Sequence, residues 1–146
     1  MMNKSIKTEI IISASKERVW EILTDFPSYA KWNPFIVSIK GDLVVGKRLT
    51  NTMLNNGKTF VFKPKVLTVT PYQYFDWLGS LFVKGLFDGH HFFEIEEIGG
   101  GQVKLCQGEY FSGILSSTIL TKIGNDTRNN FIKMNQAIKQ LAEGAK

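Results

Sequence analysis

The chain has 146 residues, 43% of them hydrophobic, and a formal net charge of +5. A chain of this size buries roughly two-thirds of its unfolded surface, so we expect one globular domain over residues 1–146. It has no apolar run near the ~20 residues that span a membrane, and we expect no charged-then-apolar leader. The lone cysteine, Cys106, excludes an internal disulfide, so nothing favours secretion and we expect a cytoplasmic protein in which Cys106 is a small packed or surface side chain.

The positive charge is spread along the whole chain. Its densest groups are Lys47–Arg48 and the pair Lys63 and Lys65, and neither a basic helix nor a nucleic-acid motif accompanies them. A solvated surface explains this charge better than a polyanionic partner, so we expect no nucleic-acid binding and no stable membrane insertion. The sequence also lacks zinc-spaced cysteines, a phosphate loop after a strand and a nucleophile elbow, which favours neither metal nor cofactor.

The first forty residues indicate a strand, two short helices and a second strand. The β-rich stretch Lys4–Ser13 predicts the first strand. Ser15 then suits a helix N-cap, and the residues after it predict a short amphipathic helix that ends before Pro27. Pro27 suits the first turn of a second short helix, through about Lys31, and Phe35–Lys40 predicts the next strand.

The dipeptide Asn56–Gly57 is the strongest hairpin signal in the chain, because a type I′ turn needs two residues with positive φ. A two-residue loop there pairs Asn55 with Lys58 and gives the two strands one apolar face. Pro64 is unsuited to a central strand and predicts a bulge or bend, and Tyr74–Gly79 predicts a further strand. The apolar face comprises Leu49, Asn51, Met53, Phe60, Phe62, Pro64 and Val66.

A second hairpin surrounds the three glycines Gly99–Gly101. They separate two strands of alternating polarity, residues 90–98 and 102–112. The apolar faces of these strands coincide only if the loop has an odd number of residues. A loop of three glycines therefore predicts that Ile98 pairs with Gln102.

The same register has consequences further from the loop. Glu96 opposes Lys104 as an outer-face ion pair, while His91 opposes Glu109 with both side chains pointing inward. An inward glutamate needs a partner because desolvating its charge is costly. The pair is interpreted as a structural polar pair, as ligand-orienting groups or as catalytic acid/base partners. His90 points to the other face, so the two histidines cannot chelate one metal.

The end of the chain, Ser116–Lys146, predicts a long amphipathic helix. Apolar residues recur there at steps of three and four, which places one helix face against an apolar surface. Gly144 occupies a C-cap position. The apolar face comprises Leu120, Ile123, Thr127, Phe131, Met134, Ile138 and Leu141.

These elements predict an α+β chain in which the long C-terminal helix lies across an antiparallel sheet of about seven strands. No repeat or linker divides the chain. The segment Leu81–Phe87 fits no regular strand. We expect it to form either a buried strand end with a loop or an apolar rim around an opening.

Six stretches of the sequence carry a resemblance to a known superfamily. They are Ser13–Phe26, Tyr29–Phe35, Phe62–Val66, Trp77–Gly79, Asp88–Glu94 and Glu109–Leu115. In this order and spacing they resemble the START-like proteins, also called the SRPBCC or birch-pollen-allergen superfamily, and within it the polyketide cyclase/dehydrase and lipid-transport branch. The resemblance implies the helix-grip fold, in which a curved antiparallel sheet wraps around the C-terminal helix and encloses an apolar cavity.

The resemblance also implies a ligand such as a lipid, sterol, polyketide, plant hormone or quinone, and it carries over no catalytic set. We therefore expect the inward faces to line a cavity for a hydrophobic small molecule or lipid. For each aromatic side chain the alternative is plain core packing. The candidate ligand-binding residues are Trp32, Phe35, Met53, Phe60, Phe62, Trp77, His91, Glu109, Phe111, Ile119, Ile123, Phe131 and Met134.

Three functions compete at this point. The first is a non-enzymatic binding protein, which a pocket lined only by apolar groups would favour. The second is a cyclase/dehydrase-type enzyme that uses His91 and Glu109 on a polyketide-like substrate. The third is a protein-interaction module, which a filled interior with an exposed apolar patch would favour. We expect the first, and hence a protein that is not an enzyme.

Overall fold

The architecture comes from a computed structural model, which describes residues 4–81 and 84–144. The chain begins with strand β1 (Ser5–Ile12), helix α1 (Lys16–Thr24), a 3-10 turn (Phe26–Ser28) and helix α2 (Tyr29–Trp32). The strands that follow are β2 (Ile36–Lys40), β3 (Thr50–Asn55), β4 (Lys58–Phe62), β5 (Lys65–Thr70), β6 (Tyr74–Leu81), β7 (Phe87–Gly99) and β8 (Gln102–Ser112). Helix α3 (Ser116–Glu143) comes last.

The strands form two antiparallel sheets that together hold the long helix. The five-stranded sheet has the order β1-β8-β7-β6-β5, and the three-stranded sheet has the order β2-β3-β4. Helix α3 packs against β1, β8 and β7 of the first sheet and against β3 of the second. This is the predicted α+β helix-grip fold, with eight strands among the described residues rather than about seven.

The additional strand arises at Pro64, where a single strand was expected to continue. Strand β4 ends at Phe62 and β5 begins at Lys65, so the chain leaves one sheet and joins the edge of the other. Proline has no N–H to donate to a strand ladder. The Pro64 carbonyl still accepts a hydrogen bond from Leu49 N at 2.9 Å, and Arg48 forms an isolated bridge to Lys65 that connects the two sheets.

The two short helices begin and end near the predicted residues. The Ser15 hydroxyl oxygen accepts from Arg18 N at 3.1 Å and caps α1, and Pro27 lies in the 3-10 turn that precedes α2. The buried Tyr29 hydroxyl of α2 donates to the Leu23 carbonyl of α1 at 2.5 Å. Burial raises the pKa of Tyr29 above its ordinary value, so this phenol remains a donor that joins the helices.

Both hairpins form, and one of them differs from its predicted loop. Asn55 pairs with Lys58 around the Asn56–Gly57 turn, as predicted. In the second hairpin Gln102 pairs with Gly99 instead of Ile98, because the register shifts between Glu97 and Gly99. The predicted pairing of Ile98 was therefore wrong. The loop is two glycines long, and the extra residue forms a bulge that restores the odd spacing.

Beyond this bulge the predicted register is confirmed. Glu96 lies opposite Lys104, and their side chains form an ion pair at 3.3 Å on the outer face. His91 lies opposite Glu109. Since the bulge compensates for the shorter loop, the inward and outward faces of both strands stay as the alternation of polarity predicts.

Helix α3 begins at the predicted Ser116 and has Gly144 as its C-cap. Its apolar face is buried or partly buried as predicted except at Leu141, which is 37% exposed. That prediction was wrong because Ala142, one position later, packs against the core in the last turn. No helix within residues 4–81 and 84–144 combines the length and apolar character needed to cross a membrane.

Part of the irregular segment Leu81–Phe87 lies outside the described residues. Strand β6 continues to Leu81 and β7 begins at Phe87, so both ends of the segment belong to strands. Lys84, Gly85 and Leu86 form a turn. The expectation for Phe82 and Val83 falls on residues that the structure does not describe.

A buried polar network ties the C-terminal half of α3 to the sheet. The Gln107 side-chain nitrogen donates to Asn135 Oδ1 at 2.7 Å and, over 3.4 Å, to the Phe131 carbonyl. Asn135 Nδ2 donates to Thr8 Oγ1 at 2.8 Å, and the Thr8 hydroxyl donates to the Gln107 backbone carbonyl at 2.8 Å. Each of these polar groups is satisfied inside the protein, which is the condition for burying them.

We predict that Asn135→Leu destabilises the protein by about 2–3 kcal/mol, because it leaves Gln107 and Thr8 with unsatisfied buried groups. The measurement is the free energy of unfolding in urea. The matched control is Asn129→Leu at an exposed position of the same helix, for which we expect a change within about 0.5 kcal/mol. Equal losses in the two variants would contradict a role for the network.

A second prediction concerns Glu143, which connects the end of α3 to Ser13, the residue that follows β1. Its carboxylate accepts from Lys139 Nζ at 2.7 Å and from Ser13 N at 2.6 Å. The hydrogen bond from Lys139, followed by that from Ser13, lowers the pKa of Glu143. A lowered folded-state pKa stabilises the protein above the unfolded-state pKa of ~4.3, and this contribution is lost as the pH falls through the folded value.

We therefore expect Glu143→Gln to lower the melting temperature at pH 7 and the gap from wild type to close as the pH falls below about 4. Thermal melts across this pH range provide the measurement. The control is Asp126→Asn, which changes an exposed carboxylate in the middle of α3. A gap for Glu143→Gln that persists unchanged in acid would contradict the prediction.

Candidate ligand-binding site

A cavity of about 200 Å³ lies between the N-terminal half of α3 and the inner faces of both sheets. Its lining is mainly apolar, with a few polar side chains, which is the usual composition of a small-molecule site. The lining residues are Phe35, Met53, Asn55, Phe60, Phe62, Pro64, Trp77, Gly79, Phe87, Gly89, Glu109, Phe111, Ile119, Ile123 and Thr127.

The space exists because the two halves of α3 pack differently. In the C-terminal half, Phe131, Met134 and Ile138 have no exposed surface. In the N-terminal half, Ile119 and Ile123 are only partly buried and face the cavity. The network at Asn135 and the core around it hold the C-terminal half of the helix against the sheet, and the cavity lies beside the N-terminal half.

Two glycines enlarge the cavity on the sheet side. Gly79 of β6 and Gly89 of β7 are paired residues, and both line the cavity. Each occupies an inward position of its strand, where any other residue would place a side chain in the space. A Cβ at Gly79 would lie 3.3 Å from Pro64, and one at Gly89 would collide with Glu109 Oε2.

Nine of the thirteen candidate residues line this cavity, and their contact with a ligand remains a prediction. They are Phe35, Met53, Phe60, Phe62, Trp77, Glu109, Phe111, Ile119 and Ile123.

The other four candidates lie outside the lining. Trp32 packs against Tyr29, with ring centroids 5.0 Å apart. Phe131 and Met134 belong to the tightly packed half of α3, and His91 is fully buried behind Glu109. All four face inward, as expected. The periodicity of strands and helices predicts which side chains point inward, but it does not give the distance between α3 and the sheets.

Six lining residues were missing from the candidates. Of these, Gly79 and Gly89 carry a usable signal, because an inward glycine between inward aromatic residues indicates missing volume. Thr127 belongs to the predicted apolar face of the helix, so its position was also accessible to sequence reasoning. The six residues are Asn55, Pro64, Gly79, Phe87, Gly89 and Thr127.

Glu109 is the ionisable side chain among the described residues that line the cavity. It retains 17% of its side-chain exposure, and its Oε1 lies 3.3 Å from His91 Nδ1. Its other oxygen, Oε2, lies over Gly89, which has no side chain to displace it. Among the described residues no hydrogen bond reaches Oε2, so this oxygen is available to a molecule in the cavity.

The buried network determines which ring nitrogen of His91 carries a hydrogen. The Phe131 carbonyl can only accept, so the amide nitrogen of Gln107 faces it and Gln107 Oε1 faces His91 Nε2, at 3.0 Å. His91 Nε2 must therefore donate. The other ring nitrogen, His91 Nδ1, lies 3.3 Å from Glu109 Oε1.

His90 belongs to a separate group on the outer face of the sheet. Its Nε2 lies 2.6 Å from Asp76 Oδ2, which also accepts from the Tyr74 hydroxyl at 3.0 Å. Burial and the hydrogen bond to Asp76 raise the pKa of Tyr74. Across the part of the chain that the structure describes, no group of three or more His, Cys, Asp or Glu side chains is placed to hold a metal ion.

Solved structures with the same fold cover nearly the whole chain. A protein from Chromobacterium violaceum is 18% identical, with a TM-score of 0.79 and coverage of 99% of this chain and 100% of the other. The Zhui aromatase/cyclase of Streptomyces sp. R1128 is 12% identical, with a TM-score of 0.79 and coverage of 95% and 93%. A START superfamily protein of Mycobacterium smegmatis is 16% identical, with a TM-score of 0.72 and coverage of 95% and 97%.

At these identities the structural matches show the fold and nothing finer. No curated protein sequence matches this chain. The family model described as "Polyketide cyclase / dehydrase and lipid transport" matches residues 4–123, which include every strand and the first part of α3. The chain therefore belongs to the polyketide cyclase/dehydrase and lipid-transport family.

Proposed function

We propose that residues 1–146 act as one non-enzymatic domain that binds a hydrophobic small molecule in the cavity between α3 and the sheets. The observation that supports this proposal is the cavity itself, about 200 Å³ in volume and lined largely by aromatic and aliphatic side chains. A filled interior would instead have favoured a protein-interaction module. Apolar lining releases water when a ligand enters, and burial of apolar surface contributes roughly 25 cal/mol per Å².

The volume of the cavity indicates the size of the ligand. Pockets for drug-sized ligands enclose about 300–1,000 Å³, and this cavity lies below that range. A compact ring system or part of one acyl chain suits the space better than a large lipid. The lining includes Phe87 and Phe111, whose rings stack 5.4 Å apart, and Trp77, so a flat ring would find aromatic faces around it.

A second candidate function rests on Glu109. A pocket lined only by apolar groups would have favoured simple binding, and this carboxyl group is an exception, with His91 Nδ1 3.3 Å behind it. A cyclase/dehydrase-type enzyme needs a base that removes a proton next to a substrate carbonyl. In that case Glu109 Oε2 would take the proton, and His91 would position the carboxyl group without touching the substrate.

The binding proposal predicts that native mass spectrometry of protein purified from its own cells, followed by organic extraction, finds a stoichiometric hydrophobic compound. Such a mass would also name the ligand class. If the protein is empty, the uptake of N-phenyl-1-naphthylamine, a neutral fluorescent apolar compound, provides the second measurement. Absence of both a bound compound and dye uptake would contradict the proposal.

We predict that Ile123→Trp weakens dye binding at least about tenfold, because the larger ring occupies the cavity. The protein should remain folded, since the added ring fills existing space. The matched control is Ile132→Trp on the same helix, where the wild-type side chain is 38% exposed and does not line the cavity. If both variants lose dye binding equally, the dye does not bind in this cavity.

The two candidate functions separate in a proton-exchange measurement with 2-tetralone, a bicyclic ketone with exchangeable hydrogens beside its carbonyl. For a binding protein we expect deuterium uptake from D₂O at the rate of the buffer. An enzyme would accelerate the exchange, and Glu109→Gln would lower the rate of the catalysed exchange about 10²-fold or more. This second outcome would establish the enzymatic function in place of the proposed one.

A further inference from the structure

We infer that the ligand presents a hydrogen-bond donor, a hydroxyl or amino group, to Glu109 Oε2, and that ligands ending in a carboxylate are disfavoured. This inference rests on the proposed function, because it assigns the polar group of the molecule in the same cavity. Its basis is the direction of the hydrogen bonds that link Gln107, His91 and Glu109 behind the cavity wall. That direction determines whether the wall presents a hydrogen-bond donor or an acceptor to a ligand.

Glu109 Oε2 accepts whether the carboxyl group is ionised or not. In a carboxylate both oxygens accept. In a carboxylic acid the hydrogen would lie on Oε1, which is 3.3 Å from His91 Nδ1, and Oε2 would be the carbonyl oxygen. In either case the oxygen that faces the cavity has lone pairs and no hydrogen.

Rotation of the carboxyl group cannot reverse this arrangement. Gln107 holds His91 Nε2 as a donor, and the Gln107 amide is itself oriented by the Phe131 carbonyl and by Asn135. The Thr8 hydroxyl donates its hydrogen to a backbone carbonyl, so its oxygen can only accept from Asn135. The amide nitrogen of Asn135 therefore faces Thr8. In a carboxylic acid, a hydrogen on the cavity-side oxygen would forgo the hydrogen bond to His91 Nδ1, so the buried hydrogen bonds favour the hydrogen on Oε1.

Among the described residues, the rest of the lining supplies no cation for an anionic ligand. The other side chains there with polar atoms are those of Asn55, Thr127 and Trp77, and all three are neutral. The side-chain oxygen of Asn55 already accepts from Asn130 Nδ2 at 3.1 Å. A ligand carboxylate would therefore lose its hydration and meet an acceptor at Glu109, which is costly in an apolar site. A hydroxyl or amino group would instead gain a hydrogen bond.

The ligand class that follows is a compact hydrophobic ring system with a hydroxyl or amino group. The test compares three ligands with the same bicyclic ring, namely naphthalene, 2-naphthol and 2-naphthoate, at pH 7 with the full chain. We expect 2-naphthol to bind about tenfold more tightly than naphthalene, as for one additional hydrogen bond to a carboxyl group. We expect 2-naphthoate to bind most weakly. Quenching of tryptophan fluorescence reports binding, since Trp77 lines the cavity.

Three variants identify the acceptor. Glu109→Leu should reduce the ratio of 2-naphthol to naphthalene affinity to about one. Glu109→Gln should keep a preference for 2-naphthol, because its amide nitrogen can donate to His91 Nδ1 and leave an oxygen facing the cavity. Thr127→Val should change the affinities for both ligands alike. Thermal melts of each variant show whether it is folded, and Glu109→Ala, for which we also expect a ratio of about one, provides the test if Glu109→Leu is not.

The outcomes separate this inference from the proposed function. If naphthalene binds and 2-naphthoate binds as tightly as 2-naphthol, the donor inference is overturned and ligand binding remains supported. Loss of the 2-naphthol preference in Thr127→Val and its persistence in Glu109→Leu would also overturn it. If none of the three ligands binds, the proposed function fails together with the inference.

Discussion

The structure depends on the hydrogen-bonded connection between the sheet and the C-terminal half of α3. Gln107 on β8, Asn135 on α3 and Thr8 on β1 are buried and satisfy one another. Because these groups are directional as well as buried, they fix the rotation and the height of the helix over the sheet. A purely apolar contact would allow the helix to slide or turn by part of a residue at lower cost.

The same connection reaches the cavity through His91. A glutamate is rarely placed on an inward face, because its desolvation must be offset by a partner. Here the partner is a fully buried histidine whose other nitrogen is held by Gln107. Gly89 completes the arrangement by leaving room for the carboxyl group. Helix placement and the chemistry of the cavity wall thus depend on one chain of hydrogen bonds, so a change at Asn135 should be felt at Glu109.

Much of this arrangement was predictable from the alternation of polarity along strands and from helix periodicity. The remainder depended on the distance between α3 and the sheets. Alternation of polarity placed His91 opposite Glu109, and that register survived an error in the loop because the bulge at Ile98 compensated for it. Periodicity identified the inward residues of α3, but it could not distinguish Ile123, which borders the cavity, from Phe131, which packs tightly. That difference follows from the separation of helix and sheet, which no short sequence window contains.

The acceptor character of Glu109 Oε2 is common to both candidate functions. A binding protein would use this oxygen to receive a hydrogen bond, and an enzyme would use it to receive a proton from a carbon next to a carbonyl group. In both cases the molecule in the cavity has to offer hydrogen to the wall. The two functions differ in the acidity of that hydrogen, which is a property of the ligand. The geometry that the chain provides, a directional polar chain ending in one acceptor within an apolar cavity, is the same for each.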